Sequence, residues 1–531
     1  MRSCGLEVSS IEGLKIMRRI LVVLVGLLAC SPVGLVYAQA LPNISLLQVR
    51  YNSLKAAAHA EGELKAQLDD VDKTIAEARR TGNIGEMRRQ MAKGLALLNK
   101  ETWTPQADYR ASLALRSERT VIDPSAPYAI RLEQIYRPAI ELSPALTTKL
   151  TIRKRLPPAR AGEPAPVAPK RDLGTFDGLT RDMRESPFAM ELDLHGVEDG
   201  AMVIEAEVFD GPTSLGASTL GVFVAKSLDA RLKALETGAA TAPEAVRADI
   251  AYPADFIRNV NRGRIELQDF NVAEEVGKAE TLLVAAKSGK DPFKGRTGDF
   301  ERHYLLQGAN EIMPYRVYVP KGYVPSKATP LVVALHGLGA NEDSFFDSYQ
   351  HLGPELAEEK GFLMVAPLGF RRDGFYGSGL MGGTDAASRR RSEYSEKDVL
   401  EVLRLARAAY NVDESRIYLM GHSMGAIGAW ALGSKYHDTW AAIVAFSGVG
   451  AVSLADNMKA IPHFIVHGDN DNTVNVSGSR NMVAALNKLK ADVTYLEVAG
   501  GSHTDVVVPN LPLAFEFMAS HRKGATTSTK Q

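Results

Sequence analysis

Five residues, Gly421-His422-Ser423-Met424-Gly425, set a serine between two glycines. An apolar run at 417–420 precedes them, and a helical pattern at 424–435 follows. A serine on a strand–turn–helix corner is held away from its own sheet, with helix N–H groups beside it to meet developing negative charge. The flanking glycines keep side chains out of a turn too tight to hold them. Serine is a weak nucleophile at neutral pH, so it needs a base, and the base needs a carboxylate to orient it. On sheets with such a corner the chain order is serine, acid, histidine. The histidines after Ser423 are His437, His463, His467, His503 and His521. His503 follows Gly500-Gly501-Ser502 at the carboxyl end of an apolar run at 493–498, the same sheet edge as the serine, and is the expected base. The acid belongs to the loop His467-Gly468-Asp469-Asn470-Asp471-Asn472-Thr473-Val474, where spacing leaves both Asp469 and Asp471 open. The turn Leu335-His336-Gly337-Leu338-Gly339 ends another apolar run. Its Leu338 N–H and that of Met424 are the expected oxyanion donors.

The elements that must hold these residues are short apolar runs at 331–335, 362–365, 417–420, 441–446, 464–466 and 493–498, alternating with amphipathic helical segments. Continuous apolar strands between helices imply an α/β architecture, a doubly wound and mostly parallel sheet covered on both faces. Residues 369–383 hold Phe370, Phe375, Tyr376 and five glycines among 374–383. They read as a mobile loop over the site, with Phe375 and Tyr376 as substrate-pocket residues. His467 and Asp469 lack further ligand-spaced partners, so no metal is expected.

Residues 300–523 resemble the α/β-hydrolase superfamily. The nearer likeness is to secreted esterases of the polyhydroxybutyrate depolymerase, feruloyl esterase and predicted-peptidase groups. It rests on Leu335 to Gly339, Tyr410-Asn411-Val412-Asp413, Arg416-Ile417-Tyr418, Gly421 to Gly425, the 467–474 loop and Gly501-Ser502-His503. That resemblance implies that Asp471 is the acid and that Ser423, Asp471 and His503 hydrolyse a carboxylic ester through an acyl-enzyme, without metal or cofactor. The substrate would be a small ester or a polymer-linked ester. Ala426 stands where such relatives usually carry a third glycine. Two rivals share the motif: a serine peptidase of the prolyl oligopeptidase type, and a catalytically inactive binding protein on the same fold.

The front half reads differently. Helical periodicity at 44–80 and 84–98, split by Gly82-Asn83, predicts a helical hairpin within 41–105. Period-two alternation at 128–133, 150–153, 188–194 and 202–208 predicts a small β-sandwich-like domain over 106–226, for which an Ig-like fold is one form. Five prolines within 156–170 predict an extended loop. Residues 227–299 read as a helical connector punctuated by Pro253 and Gly263, ending in a polar linker from Ser288 to Asp299. No repeat of propeller or solenoid period is present in this half.

Composition bounds the rest. The chain has 531 residues, 45% hydrophobic and 24% charged, with 62 basic against 63 acidic side chains. These values exclude a wholly disordered, collagen-like or polytopic membrane chain, and the absent basic surplus excludes a nucleic-acid partner. Arg18-Arg19, an apolar run at 20–29 and Ala38-Gln39-Ala40 have the order of a signal peptide over residues 1–40, predicting export to a periplasm or beyond. A lipoprotein signal ending at Cys30 is the competing reading, and is the one route by which a membrane becomes a partner. Both cysteines, Cys4 and Cys30, precede Ala40, so cleavage there leaves none. Residues 524–531 read as a flexible tail. Oligomeric state has no signal.

Overall fold

The computed structural model describes residues 44–125, 127–156, 166–267, 270–379 and 385–524. The expected leader, the proline-rich stretch 157–165 and residues 525–531 of the tail lie outside the described residues.

The expected hairpin is a three-helix unit: α1 Ile44–Ala58, α2 Gly62–Arg80 and α3 Ile84–Leu98. The first predicted helix breaks at residues 59–61, where His59 takes φ 42° and Gly62 takes φ 57°. That reversal lets Tyr51 of α1 fold back onto Leu68, Val71, Met87 and Met91. Its hydroxyl donates to Asp72 at 2.9 Å. The short helix α4, Pro105–Ser112, starts with a Thr104 cap and a proline in its first turn, both favoured there.

Eight strands follow: β1 Leu113–Ser117, β2 Val121–Ile122, β3 Tyr128–Gln134, β4 Leu146–Lys154, β5 Arg171–Leu179, β6 Phe188–Leu192, β7 Gly200–Asp210 and β8 Thr213–Val224. They form a three-stranded sheet, β1-β3-β6, and a five-stranded sheet, β2-β8-β7-β4-β5. Alternate residues of both, Leu115, Ile130, Leu132 and Met190 from the first and Leu150, Ile204, Ala206 and Val222 from the second, share one core. The two sheets face each other across this core.

Helices α5 Leu228–Thr241, α6 Glu244–Asn261 and α7 Val272–Lys287 form the next layer. Pro253 does not interrupt α6 as the sequence suggested; the helix runs through it. Tertiary burial outweighs the missing N–H, because Tyr252, Pro253, Ala254 and Ile257 are all buried. Gly263 does end the helix, with φ 66° and with Arg264 N–H donating to the Asn259 carbonyl. The segment 288–299 is less free than a linker, since Phe293 lies under the Arg302 guanidinium at 3.9 Å and beside Phe300.

The remaining elements are β9 Gly298–Leu306, β10 Glu311–Val319, β11 Thr329–Leu335, α8 Ser344–Asp347, α9 Leu352–Lys360, β12 Leu363–Pro367, α10 Ala386–Ala409, β13 Val412–His422, α11 Met424–Lys435, β14 Ala442–Phe446, α12 Ala455–Met458, β15 His463–Gly468, α13 Ser477–Lys488, β16 Val493–Val498 and α14 Val507–Ser520. They build one eight-stranded sheet in the order β16-β15-β14-β13-β11-β12-β10-β9. The six strands from β11 to β16 pair in parallel; β9 and β10 are antiparallel. Successive side chains point to opposite faces. Leu331, Val333 and Leu335 pack with α10 and α11, while Val332 and Ala334 pack with α9 and α14. Sequence reading missed β9 and β10. Their signal is alternation, Phe300-Tyr304-Leu306 and Met313-Tyr315-Val317-Val319 inward, rather than a continuous apolar run.

Candidate active site

Strand β13 delivers the serine. Ser423 sits between β13 and α11 at φ 55°, ψ −116°, a backbone conformation that costs a non-glycine residue on the order of 1–3 kcal/mol. Its neighbours make that turn possible. A Cβ on Gly425 would lie 1.9 Å from the Leu335 carbonyl oxygen, and one on Gly421 would lie 2.2 Å from the Gly425 carbonyl. Ser423 N–H donates to the Phe446 carbonyl at 2.9 Å, pinning the corner to β14.

The loop after β16 brings His503 onto the serine, with Nε2 2.9 Å from Ser423 Oγ. His503 Nδ1 lies 2.7 Å from Asp471 Oδ2. Asp471 comes from the loop after β15, and its side chain has no accessible surface. Its Oδ1 accepts N–H bonds from Thr473 and Val474 at 2.8 and 2.9 Å, and its Oδ2 also faces His467 Nε2 at 3.1 Å. Burial pushes its pKa up, but the bonds from His467 and His503, the His503 charge and the Val474 N–H outweigh it. The carboxyl is held well below the usual range and stays ionised. Asp469, the other open alternative, turns away from the histidine and accepts the Gly500 N–H at 2.7 Å. It ties down the loop that carries His503.

Of the other histidines, His463 is buried against the Met458 carbonyl, His437 is half exposed beside Asp438, and His521 packs on Phe517 near the carboxyl terminus. His467 is sealed in, with Nδ1 2.7 Å from Ser479 Oγ. The turn after β11 passes over the serine: a Cβ on Gly337 would stand 3.5 Å from Ser423 Cβ. Leu338 follows it, half buried. Met424 opens α11, so its N–H is among the four that have no intrahelical acceptor.

His422 escaped the sequence reading. It is the middle residue before the serine, buried, with Nδ1 2.9 Å from the Tyr349 hydroxyl and Nε2 2.9 Å from the His503 carbonyl. Burial and the nearby His503 pull its pKa down to about 4, so it is neutral at pH 7. Ser447 Oγ donates to the same carbonyl at 2.9 Å. The one signal available was a polar residue at the inner end of a buried strand.

The glycine-rich stretch corrects two expectations. Residues 369–379 are anchored, not loose. Phe370 N–H donates to the buried Asp398, Tyr376 N–H donates to Ser395 Oγ, and a Cβ on Gly374 would meet that same oxygen at 2.4 Å. Gly374 and Gly377 are there for close approach to Ser395 and Glu396 of α10. Tyr376 has no accessible surface and Phe375 is 9% exposed. Tyr376 packs under the turn with its hydroxyl 3.3 Å from the His336 carbonyl, so it supports the site from behind instead of lining a substrate pocket. Residues 380–383 lie outside the described residues.

Residues 307–522 match the family model of putative esterases. This segment, under half of the chain, is similar to that family. Among curated relatives, a bifunctional acetylxylan esterase/xylanase of Neocallimastix patriciarum is 29% identical over 177 residues, 33% of this chain and 23% of that one. Feruloyl esterase B of Talaromyces funiculosus is 28% identical over 136 residues, 24% of this chain and 35% of that one. The chain thus spans well under half the length of these esterases. A solved thermostable esterase is similar over 74% of this chain and 95% of its own at 17% identity, with a TM-score of 0.37. The esterase family match leaves residues 44–306 uncovered.

Proposed function

We propose that the protein is a serine carboxylic-ester hydrolase whose catalytic triad is Ser423, His503 and Asp471. The observation that carries this reading is the unbroken hydrogen-bond path from Ser423 Oγ through both nitrogens of His503 to Asp471, inside an esterase-family segment. His503 Nε2 takes the serine proton as Oγ attacks the ester carbonyl carbon. Asp471 holds Nδ1–H, which fixes the tautomer and stabilises the imidazolium. The Leu338 and Met424 N–H groups receive the oxyanion; one such donor contributes about 2 to 4 kcal/mol to the transition state. Collapse expels the alcohol with the proton from His503. Water then repeats the sequence on the acyl-enzyme and frees the acid. Every step uses groups of this chain and none calls for a cofactor. The named esterase relatives support acyl groups of acetyl or hydroxycinnamoyl size on a larger alcohol. Export through a leader ending at Ala40 belongs to the same reading, and N-terminal sequencing of the mature protein tests it.

A fluorophosphonate probe tests the chemistry. The wild type is expected to label and Ser423→Ala is not, with turnover of short p-nitrophenyl esters falling about 10⁴-fold or more. A folded wild type that fails to label would sink the enzyme reading. Cleavage of peptidyl anilides without ester turnover would replace it with a peptidase.

A further inference from the structure

Asp471 serves a second histidine besides His503. Its Oδ2 faces His503 Nδ1 at 2.7 Å and His467 Nε2 at 3.1 Å. His467 belongs to β15, one turn of chain ahead of the carboxylate. The side chains of His467 and Asp471 have no accessible surface, so solvent cannot replace either partner.

The other contacts of His467 fix where its hydrogen lies. Nε2 also faces the Val474 carbonyl at 2.9 Å. A carboxylate and a carbonyl only accept, so Nε2 carries hydrogen. Nδ1 lies 2.7 Å from Ser479 Oγ of α13, which is itself 3.2 Å from the Gly448 carbonyl. That hydroxyl can donate to Nδ1 of a neutral ring, or accept from a charged ring and donate to Gly448 instead. The Nε2–H meets Asp471 in both states.

What matters is which oxygen is shared. The Thr473 and Val474 N–H groups hold Oδ1. His467 donates to Oδ2, the oxygen that also receives His503. Each donor on that oxygen draws off charge the other would use, and a buried setting strengthens the competition. The neighbouring titratable groups lie elsewhere. His422 of β13 is neutral at pH 7 and holds the His503 carbonyl. Glu497 of β16 is taken by Arg480 and Tyr495, Asp469 by the Gly500 N–H, and Asp505 by the Ser502 N–H. Among the described residues, only the two histidines bond Oδ2.

We propose that His467 is a positioning residue of the triad, sharing Asp471 Oδ2 with His503 so that its Nε2–H both aims the carboxylate and limits how tightly that oxygen holds the protonated base. The effect on turnover rests on the ester-hydrolase reading; the shared carboxylate does not.

The pH profile of p-nitrophenyl acetate hydrolysis by the full chain tests it. His467→Leu removes the donor, whereas His467→Gln puts an amide N–H in the place of Nε2–H without a titrating ring. The leucine variant is expected to move the acid limb of kcat/KM up by about one pH unit and to lower plateau kcat about tenfold, with KM unchanged. The glutamine variant is expected to keep the limb within about 0.3 unit of the wild type. A limb that stays in place with leucine, or moves equally in both variants, would overturn the proposal and leave His467 a clamp on its own loop. Nitrogen NMR of the wild type with isotope-labelled histidine needs neither turnover nor a folded leucine variant. His467 Nε2 is expected to carry hydrogen throughout the profile, and a bare Nε2 would overturn the proposal. A wild type that turns over no ester would sink the hydrolase reading alone, since the nitrogen spectrum still decides His467.

Discussion

At the residue scale, the two aspartates of the 467–474 loop differ in what they touch, and so in what their loss should do. Asp471 faces His503 Nδ1 at 2.7 Å, whereas Asp469 caps the Gly500 N–H. Asp471→Asn presents the wrong partner to Nδ1 and should lower kcat about 10⁴-fold. Asp469→Ala loosens the His503 loop and should cost about tenfold, the loss of one charge-assisted bond. Ester kinetics on the two variants measure the difference; equal losses would contradict these roles. This distinction was not legible in spacing alone, because two residues in one loop reach different directions by turn geometry. Nor was His422 legible, since its part is to hold the His503 backbone carbonyl, a contact between residues 81 apart in the chain.

At the element scale, the serine corner is where sequence and structure are most tightly bound. The glycine requirement is steric and local, so the pentapeptide reveals it without the fold. Gly425→Ala places a methyl 1.9 Å from the Leu335 carbonyl oxygen and should destabilise the protein by about 3 kcal/mol or more, read from urea unfolding. A neutral outcome would mean that β11 and α11 can part at little cost. The glycines of 369–379 show the limit of the same reasoning. Composition cannot distinguish a glycine needed for motion from one needed for contact; Gly374 against Ser395 is contact. The antiparallel strands β9 and β10 were hidden for a related reason: alternation with Glu301, His303, Arg316 and other polar residues broke the apolar runs that betrayed the six parallel strands. Pro253 and His59 misled in opposite directions, one buried inside a helix and the other ending one.

At the scale of the whole molecule, buried titratable groups set how stability responds to pH. His422 and His463 are each pulled by burial from 6.5 to about 4, and His336 is shifted the same way. Between those values the unfolded chain binds these protons and the native chain does not, so stability falls on acidification. Asp471 adds to the loss lower down, as pH drops from the ordinary carboxylate range toward its depressed native value. Asp398, Asp255, Glu301 and Glu342 oppose it: burial raises each carboxyl, that of Asp398 from 3.8 to about 6, so there the native state binds the extra proton. The carboxyl and histidine shares are therefore read by difference: Asp398→Asn removes one opposing share and should shift the slope of Tm between pH 6.5 and 4.5 toward a steeper fall on acidification, by scanning calorimetry, and an unchanged slope would refute it. The α/β class was legible from period. The way the two halves join was not, because it depends on single charged contacts across the chain. Asp249 of α6 takes the Arg302 guanidinium and the His303 N–H, and Asp255 takes the Ile312 N–H. Synthesis runs from the amino terminus, so α6 leaves the ribosome with Asp249 unanswered and Asp255 held only by Arg258 and Asn259 of its own helix. Their partners emerge some fifty residues later, from 302 to 312. The α5–α7 layer therefore waits for the first strands of the eight-stranded sheet, and a cut at residue 307, the start of the esterase match, would part β9 from β10 and take the Ile312 N–H from Asp255.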